Sequence, residues 1–255
     1  GNDPLKAYGK TTDLTAMGGA QYVHTFDKCF FMPSDLTAGL EYNRDRLKDN
    51  MWGYNRHTDQ TVNIYSAFLQ NEWKNDRWGI LIGGRLDKHN MVDNVIFSPR
   101  ANLRFNPTQN INLRLSYSSG FRAPQAFDED MHIENVGGTV AMIERAKDLK
   151  EEKSQSFSVS ADMYHRFGAF QTNLLIEGFY TRLTDVFVLG EPYDRGDGIL
   201  VKTRSNGPGA KVMGLTLEGK VVYLSILQIQ AGLTLQRSRY DEPHKWHDDA
   251  PAEKK

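Results

Sequence analysis

The feature of this sequence that most limits its fold is the strict alternation of apolar and polar residues over segments of eight to ten residues. Ile111–Ser118, Ser156–Met163 and Leu227–Gln236 each follow this pattern from end to end. Because side chains alternate between the two faces of a β-strand, each segment would have one apolar face and one polar face. A helix, with a period of 3.6 residues, would mix the two classes around its surface. The alternation therefore predicts amphipathic strands.

Weaker alternation extends this prediction over most of the chain, to ten strands in all. The further segments are Leu14–Phe26, Leu36–Asn43, Val62–Trp73, Trp78–Lys88, Ser98–Phe105, Leu174–Thr181 and Met213–Tyr223. Several of them reach about ten residues or more, whereas strands of soluble proteins average about 5–6. A strand that crosses a bilayer needs about 9–11 residues. The strand lengths therefore favour a membrane barrel.

The predicted connections alternate between short and long. The short ones are Lys74–Arg77, Asn106–Asn110, His165–Ala169 and Leu224–Ile226; the long polar ones are Arg44–Gln60, His89–Ile96, Gly120–Lys153, Gly190–Arg204 and the tail from Asp241. In an antiparallel meander, this order puts all the short turns at one end and all the long loops at the other. Outer-membrane barrels have this asymmetry, with short periplasmic turns and long extracellular loops.

A soluble β-sandwich is the main alternative architecture, since alternating strands are common there too. Aromatic residues at the predicted strand ends favour the barrel, whose apolar band is bordered by aromatic girdles. They are Phe26, Phe30, Phe31, Trp73, Trp78, Phe105, Tyr117, Phe167, Phe170, Tyr223 and Tyr240.

Composition excludes several other classes of protein. No apolar run exceeds about four residues, far below the roughly 20 of a transmembrane helix. The formal net charge is −1, without the clustered basic excess of a nucleic-acid-binding protein. Cys29 is the only cysteine, so no internal disulfide can form. Its place beside Phe30 and Phe31 favours packing at a membrane interface.

Three blocks resemble the TonB-dependent receptor family. Tyr117–Pro124, continuing to Asp130, resembles the barrel segment that opens a large extracellular loop in that family. Leu149–Ser154 resembles the point where the chain re-enters the barrel. The spaced residues Asn206, Ala210, Gly214 and Glu218 resemble a later Asn…Gly-Leu-Glu-like strand, here slightly stretched. The blocks follow one another in the family's order. The other strands match the family only in their alternation of apolar and polar residues.

The resemblance implies an all-β fold, an antiparallel up-and-down meander that is part of a transmembrane β-barrel of about 22 strands with a plugged lumen. Residues 1–255 would form one partial β-barrel domain, a fragment of a longer receptor that lacks the plug and the closing C-terminal strand. Such a sheet would have two unpaired edges.

The function that the resemblance implies is energised uptake of a scarce nutrient, a ferric siderophore, haem or cobalamin, and not an enzymatic activity. The expected partners are outer-membrane lipid, the small nutrient ligand, and the energy-transducing protein TonB, reached through the absent plug. A passive porin or adhesion barrel and a soluble secreted carbohydrate-binding β-sandwich remain alternatives. A plug encoded upstream would distinguish the receptor from the porin, and solubility without detergent would favour the sandwich.

No group of residues predicts catalysis, and we expect no cofactor and no bound metal. Serine is never in a nucleophile-elbow context. Asp128–Asp130 beside His132 is more typical of a solvated loop than of a metal site, because nothing there fixes ligand geometry. His244 and His247 have helix-like ligand spacing, but they lie beside Pro243, which disfavours that geometry.

The long loops are the better place to expect ligand contacts. Trp52, Tyr54 and Arg56 combine aromatic and cationic groups, which can stack on a flat ligand and pair with its anionic charge. Phe121 and Arg122 begin the longest loop, and Trp246 lies in the last one. The alternative is that these residues order the loops or contact lipopolysaccharide.

Two local predictions complete the sequence analysis. Intervals of three between apolar residues in Val140–Lys153 predict a short helix within the longest loop. Gly18-Gly19 predicts a β-bulge or a close approach of two backbones.

Overall fold

In a computed structural model of the chain, the described residues are 9–52, 56–125, 134–136, 139–196 and 200–242. They form fifteen strands: β1 Gly9–Cys29, β2 Met32–Met51, β3 Arg56–Lys74, β4 Trp78–His89, β5 Ile96–Thr108, β6 Ile111–Arg122, β7 Glu134–Val136, β8 Thr139–Arg145, β9 Glu152–Phe167, β10 Phe170–Thr184, β11 Phe187–Leu189, β12 Tyr193–Asp194, β13 Leu200–Asn206, β14 Ala210–Tyr223 and β15 Leu227–Tyr240. Among these residues, no helix is long and apolar enough to cross a membrane.

The predicted ten-stranded meander is confirmed. One antiparallel sheet has the order β1-β2-β3-β4-β5-β6-β9-β10-β14-β15. The remaining strands form a second sheet with the order β11-β13-β8-β7, in which β12 also pairs with β13. They come from the two longest connections, β6 to β9 and β10 to β14.

The pairing register of the main sheet separates apolar from polar side chains. Leu115 pairs with Leu103 on one side and with Val159 on the other. One residue further, Ser116 pairs with Asn102 and Ser158. Because a slip of one residue would exchange the two faces of a strand, this register gives the sheet one apolar face and one polar face.

The sheet curls towards its polar face. Met17 of β1 and Gly120 of β6 line the same cavity of about 370 Å³, together with polar residues of the strands between them. Strands five places apart in a flat sheet would be about 24 Å from each other, so a shared cavity requires strong curvature. The polar face is therefore the inner wall of a barrel, and the apolar face is its outer surface.

Aromatic rings on the outer surface form a girdle at the end with the short turns. Phe31 stacks on Trp73 at 5.6 Å, and the Trp73 indole N–H donates to the Cys29 carbonyl at 3.0 Å. The other ring pairs along this girdle are Trp78–Phe105 at 4.3 Å, Phe167–Phe170 at 5.4 Å and Phe170–Tyr223 at 4.9 Å. Tyr240 does not belong to a girdle, because its partner Ala210 faces the inner wall.

A second set of rings borders the apolar band towards the long loops. Tyr42 contacts Tyr65 at 4.9 Å between centroids, and Tyr117 contacts Phe157 at 4.7 Å. Trp73 and Tyr65 lie eight positions apart on β3, or ~27 Å along the strand at about 3.4 Å per residue. With a strand tilt of about 40°, the band is ~21 Å high, close to the roughly 25 Å of outer-membrane barrels.

The predicted long loop Arg44–Gln60 is wrong. β2 continues to Met51 and β3 begins at Arg56, with a regular register between them. Sequence interpretation missed these extensions because they contain few apolar residues. These extensions carry the two strands well beyond Tyr42 and Tyr65, which belong to the second set of rings.

Two further predictions need correction. The helix expected over Val140–Lys153 is absent among the residues described there; Thr139–Arg145 is strand β8, and Ala146–Glu151 is irregular. The bulge at Gly18-Gly19 is absent too, because the β1–β2 register runs without a shift from Gly9 to Phe26. The other reading of this pair is supported, since a Cβ on Gly19 would lie 3.1 Å from the Leu40 carbonyl oxygen.

The first and last strands of the main sheet have a partner on one side only. Within the described part of the chain, β1 pairs with β2 and β15 with β14, and neither pairs with any other strand. The sheet is thus open along both edges.

Candidate ligand-binding surface

The inner wall carries a charged cluster that spans three neighbouring strands. The guanidinium group of Arg85 in β4 donates to Glu41 in β2 at 2.6 Å and to Asp87 in β4 at 2.8 Å. The Ser66 hydroxyl, on β3 between them, donates to the same Asp87 oxygen at 2.6 Å. Only 4% of the Asp87 side chain is exposed, so these two donors replace the water that its charge would otherwise require.

Polar contacts continue along the wall towards the short turns. Asn173 and the Tyr164 hydroxyl both donate to Asp162. Nearby, Arg114 donates to Asn112 at 2.7 Å. The inner wall therefore offers hydrogen-bonding groups from the level of the apolar band down to the short-turn end.

The three sequence blocks that suggested a family meet at the long-loop end of the barrel. Gly120, Phe121 and Arg122 at the end of β6 pair with Ser154, Lys153 and Glu152 at the start of β9. This pairing joins the first block to the second, although 30 positions separate Arg122 from its partner Glu152.

Asn206 joins the third block to the second. Its side-chain oxygen accepts the backbone N–H of Lys150 at 2.7 Å. Its amide nitrogen donates to the carbonyl of Lys150 at 3.1 Å and to the carbonyl of Asp185 at 2.8 Å. One side chain thus holds together the entry into β9, the exit from β10 and the end of β13. Sequence interpretation noted Asn206 as part of a motif without finding this role.

Glutamates of the second block bind the loops directly. Glu152 accepts the backbone N–H of Phe187 at 2.9 Å, and the guanidinium group of Arg122 lies 5.5 Å from the centroid of the Phe187 ring. Burial acts to raise the pKa of Glu151, but backbone hydrogen bonding and the Lys153 ammonium group, 3.0 Å away, outweigh it and lower that pKa. The Glu151 side chain is therefore held as an anion beside Lys153.

The second sheet binds the two longest loops to each other. β8 and β13 pair in parallel, from Leu200 opposite Ala141 to Arg204 opposite Arg145. Met142 and Val201 are buried, with 2% and 0% of their surfaces exposed. Arg145 also donates to the Pro124 carbonyl at 2.8 Å. The two loops therefore form one packed unit.

A small apolar core and a buried histidine lie where β4, β5 and β6 meet this unit. Phe121 packs against Val92, Ile96 and Ala123. His89 is fully buried; its Nδ1 accepts the Met91 N–H at 3.1 Å, and its Nε2 lies 3.3 Å from the Gln125 side-chain oxygen. An accepting Nδ1 makes the ring neutral, with its proton on Nε2.

The four predicted ligand-binding residues that the structure describes lie at the long-loop end, in two places. Trp52 is exposed at the tip of the β2 extension, and Arg56 begins β3 beside it, whereas Tyr54 and Trp246 lie outside the described residues. Phe121 and Arg122 end β6, where their contacts order the loops. Ligand binding by any of these residues stays a prediction.

The candidate metal and acid-base residues also lie outside the described ranges: Asp128–Asp130, His132, His244 and His247. Within those ranges, no group of three His, Cys, Asp or Glu residues is arranged to hold a metal ion.

Comparison with protein families gives one match to nearly the whole chain. A model described as "TonB dependent receptor-like, beta-barrel" matches residues 2–254. Among curated proteins, the probable hemoglobin and hemoglobin-haptoglobin-binding protein 3 of Haemophilus influenzae is 23% identical over 206 residues, which are 79% of this chain and 18% of that protein.

Solved structures share the fold at low sequence identity. The siderophore receptor PirA from Pseudomonas aeruginosa superposes with a TM-score of 0.78 at 16% identity, over 92% of this chain and 44% of that one. The FrpB iron transporter from Neisseria meningitidis gives a TM-score of 0.67 at 16% identity, over 94% of this chain and 38% of that one. The chain thus spans less than half the length of these two structures and about a fifth of the curated relative.

Proposed function

This chain belongs to the TonB-dependent receptor-like β-barrel family, and on that premise we propose that it forms part of the wall of a receptor for energised uptake of an iron-bearing nutrient. The family is one of outer-membrane transport receptors. The ten-stranded sheet is the part of this chain that crosses the membrane. Energy would come from TonB through a plug domain inside the barrel.

The observation that carries this proposal is the polar inner wall. A β-sheet that only anchored a protein in the membrane would need its apolar surface, but it would not need the Arg85, Glu41, Asp87 and Ser66 cluster on the opposite face. Charged and hydrogen-bonding groups along the wall fit a lumen that holds a plug and admits a polar ligand. The open edges at β1 and β15 support the further proposal that residues 1–255 are one partial barrel domain, completed by other strands.

The nutrient class that we propose is a ferric siderophore or haem. Two of the similar structures are described as a siderophore receptor and an iron transporter, and the curated relative as a probable hemoglobin-binding protein. These descriptions favour iron sources over cobalamin. Trp52, Tyr54, Arg56, Phe121, Arg122 and Trp246 are the proposed contacts, through aromatic stacking and cationic pairing with an anionic ligand.

Uptake of labelled iron by cells tests this proposal. Cells that express the full-length receptor and lack other iron receptors would be given ⁵⁵Fe as a ferric siderophore or as haem, with and without an active TonB partner. We expect accumulation from at least one source, abolished when TonB is inactive. Accumulation that persists without TonB would make the protein a passive porin, and no accumulation from either source would refute iron uptake.

A further inference from the structure

Charges on the loop-side extension of β2 are sorted by sign. Along Arg44-Asp45-Arg46-Leu47-Lys48-Asp49, the cations occupy alternate positions and the carboxylates lie between them. Arg44, Arg46 and Lys48 are exposed, while Leu47 and Asp49 are buried, with 7% and 3% of their surfaces exposed. Period two therefore turns the cations of this segment to one side of the sheet and its carboxylates to the other.

The side with the cations is the continuation of the membrane-facing surface. Arg44 follows Tyr42 by two positions, and Tyr42 belongs with Tyr65 to the second set of rings, which borders the apolar band towards the long loops. Lys88 of β4 pairs with Tyr65, so it lies on the same side at the same height. At or above the height of the tyrosines on this side of β2, β3 and β4, the described residues include four cations and a single carboxylate, Asp59.

A single carboxylate cannot neutralise this group. Asp59 lies 3.7 Å from Arg46 and 3.3 Å from Lys48. The side chain of Arg44 makes no hydrogen bond or ion pair with any described residue. On β2 alone, the three cations repeat every second position, or every ~7 Å along the strand. That spacing suits a partner with more than one anionic group.

An apolar groove lies directly below the cations. It has a volume of about 550 Å³ and runs across the outer surface between β1 and β4. Gly18 and Ala20 make its floor low, and Leu40, Tyr65 and Leu86 line it. Lys88 lies at its edge. A groove for hydrocarbon under a row of cations matches an amphiphile with an anionic head and acyl chains.

A second group of cations occupies the same height on the other part of the sheet. Lys211 of β14 and Arg239 of β15 pair directly across the strands, and Arg237 lies opposite Met213. Like charges directly opposite each other are destabilising in a sheet. An anion bound between Lys211 and Arg239 would remove that cost.

We propose that the outer surface binds a multiply phosphorylated lipid of the outer leaflet, with its phosphates on Arg44, Arg46 and Lys48 and its acyl chains in the groove below. The partner is a lipid and not a soluble anion, because the cations lie at the upper border of the apolar band and the groove opens towards the hydrocarbon. This inference depends on the position of the sheet in the membrane and not on which nutrient is transported.

Lipid binding to the intact protein in dodecyl maltoside micelles tests the proposal, with native mass spectrometry counting bound lipid during a titration. The probes are diphosphoryl lipid A, monophosphoryl lipid A and phosphatidylcholine. We expect affinity to decrease in that order. A basic side chain near an anionic lipid surface contributes about 1 kcal/mol, so the double variant R44Q/R46Q should bind diphosphoryl lipid A about 30-fold more weakly.

Three further variants separate lipid binding from misfolding. K28Q/R166Q removes the same charge from exposed residues away from this cluster, and it should change affinity less than about twofold. R44K/R46K keeps the charge and should keep most of the binding. D59N releases two cations and should tighten binding about fivefold, a gain that a damaged fold would not produce.

Any one of three results would overturn the proposal. The first is an equal loss of affinity in R44Q/R46Q and in the control K28Q/R166Q. The second is equal affinity of the wild-type protein for phosphatidylcholine and for diphosphoryl lipid A. The third is displacement of the lipid by inorganic phosphate at the concentration at which phosphate binds alone, which would show a general anion site.

Discussion

Replacing Asn206 with alanine should loosen the unit that the two longest loops form, while leaving the membrane-crossing sheet intact. The substitution removes three hydrogen bonds, to the N–H and the carbonyl of Lys150 and to the carbonyl of Asp185. These bonds fix the chain where it enters β9 and where it leaves β10.

The magnitude follows from the number of bonds and their exposure. A hydrogen bond contributes a net 0.5–1.5 kcal/mol, so three would contribute about 3 kcal/mol. Asn206 is only half-buried, so water can partly replace the lost partners. We therefore expect the local opening free energy of the loop unit to decrease by about 2–3 kcal/mol, which corresponds to roughly 30- to 150-fold faster opening.

Hydrogen exchange of backbone amides in detergent micelles measures this opening directly. The amide of Lys150 and those of β13 should exchange faster in the variant by the factor given above. Amides of β4, β5 and β14 within the apolar band serve as an internal reference and should be unchanged.

Asn102→Ala is the matched control. Asn102 is an exposed asparagine on the inner wall of β5, and its side chain makes no hydrogen bond to any described residue. It should leave exchange in the loop unit as it is in the wild-type protein. Unchanged protection of Lys150 in Asn206→Ala would refute the role that we assign to Asn206. An equal acceleration throughout the barrel would show that the residue supports the whole fold instead.

Three further substitutions test the wall and the girdle by urea unfolding in micelles. Arg85→Met should lower the free energy of unfolding by about 1–3 kcal/mol, because it leaves the buried Asp87 carboxylate with fewer donors. Adding Asp87→Leu should restore much of that free energy, and no recovery would contradict this account. Trp73→Phe should lower the free energy of unfolding by about 1 kcal/mol, because it removes the indole hydrogen bond. Trp73→Ala should lower it by about 2–3 kcal/mol, because it also removes the ring that stacks on Phe31. Equal losses would exclude a contribution from stacking. Gly39→Ala should lower the free energy of unfolding by about 1–3 kcal/mol, since a Cβ there would lie 2.3 Å from the Phe68 ring. Adding Phe68→Leu should relieve this clash. A Gly39→Ala variant as stable as the wild-type protein would refute the close contact.

The membrane-crossing sheet could be predicted because its rule is local. Apolar residues must face lipid at every second position, and Leu227–Gln236 shows this without reference to any other segment. The aromatic girdle could be predicted for the same reason, since Trp73 and Trp78 flank a short turn. Tyr240 was misplaced because only its position at the end of a strand was considered. It continues the even-numbered positions of Gln236 and Ser238, which lie on the inner wall.

The loop unit could not be predicted in this way. β8 and β13 pair in parallel across about sixty positions, and each has only seven residues. In Val140–Lys153, apolar residues at intervals of three fit a helix as well as a short strand, and only the partner strand decides between them. Asn206 was recognisable as part of a motif, but its three acceptors and donors lie on segments that no pattern in the sequence connects.

Arg44–Asp49 shows how the same local rule extends beyond the membrane. This segment was assigned to a loop because its alternating residues are charged, and apolar residues are the usual sign of a strand. The two faces of the segment nevertheless alternate at every second position, with the cations on one face and the carboxylates on the other. Beyond the acyl chains, the outer face of the strand meets lipid headgroups, so charge replaces apolar character there. A strand that leaves the apolar band should therefore be sought by alternation of any property that distinguishes its two faces, and the property that alternates indicates what each face contacts.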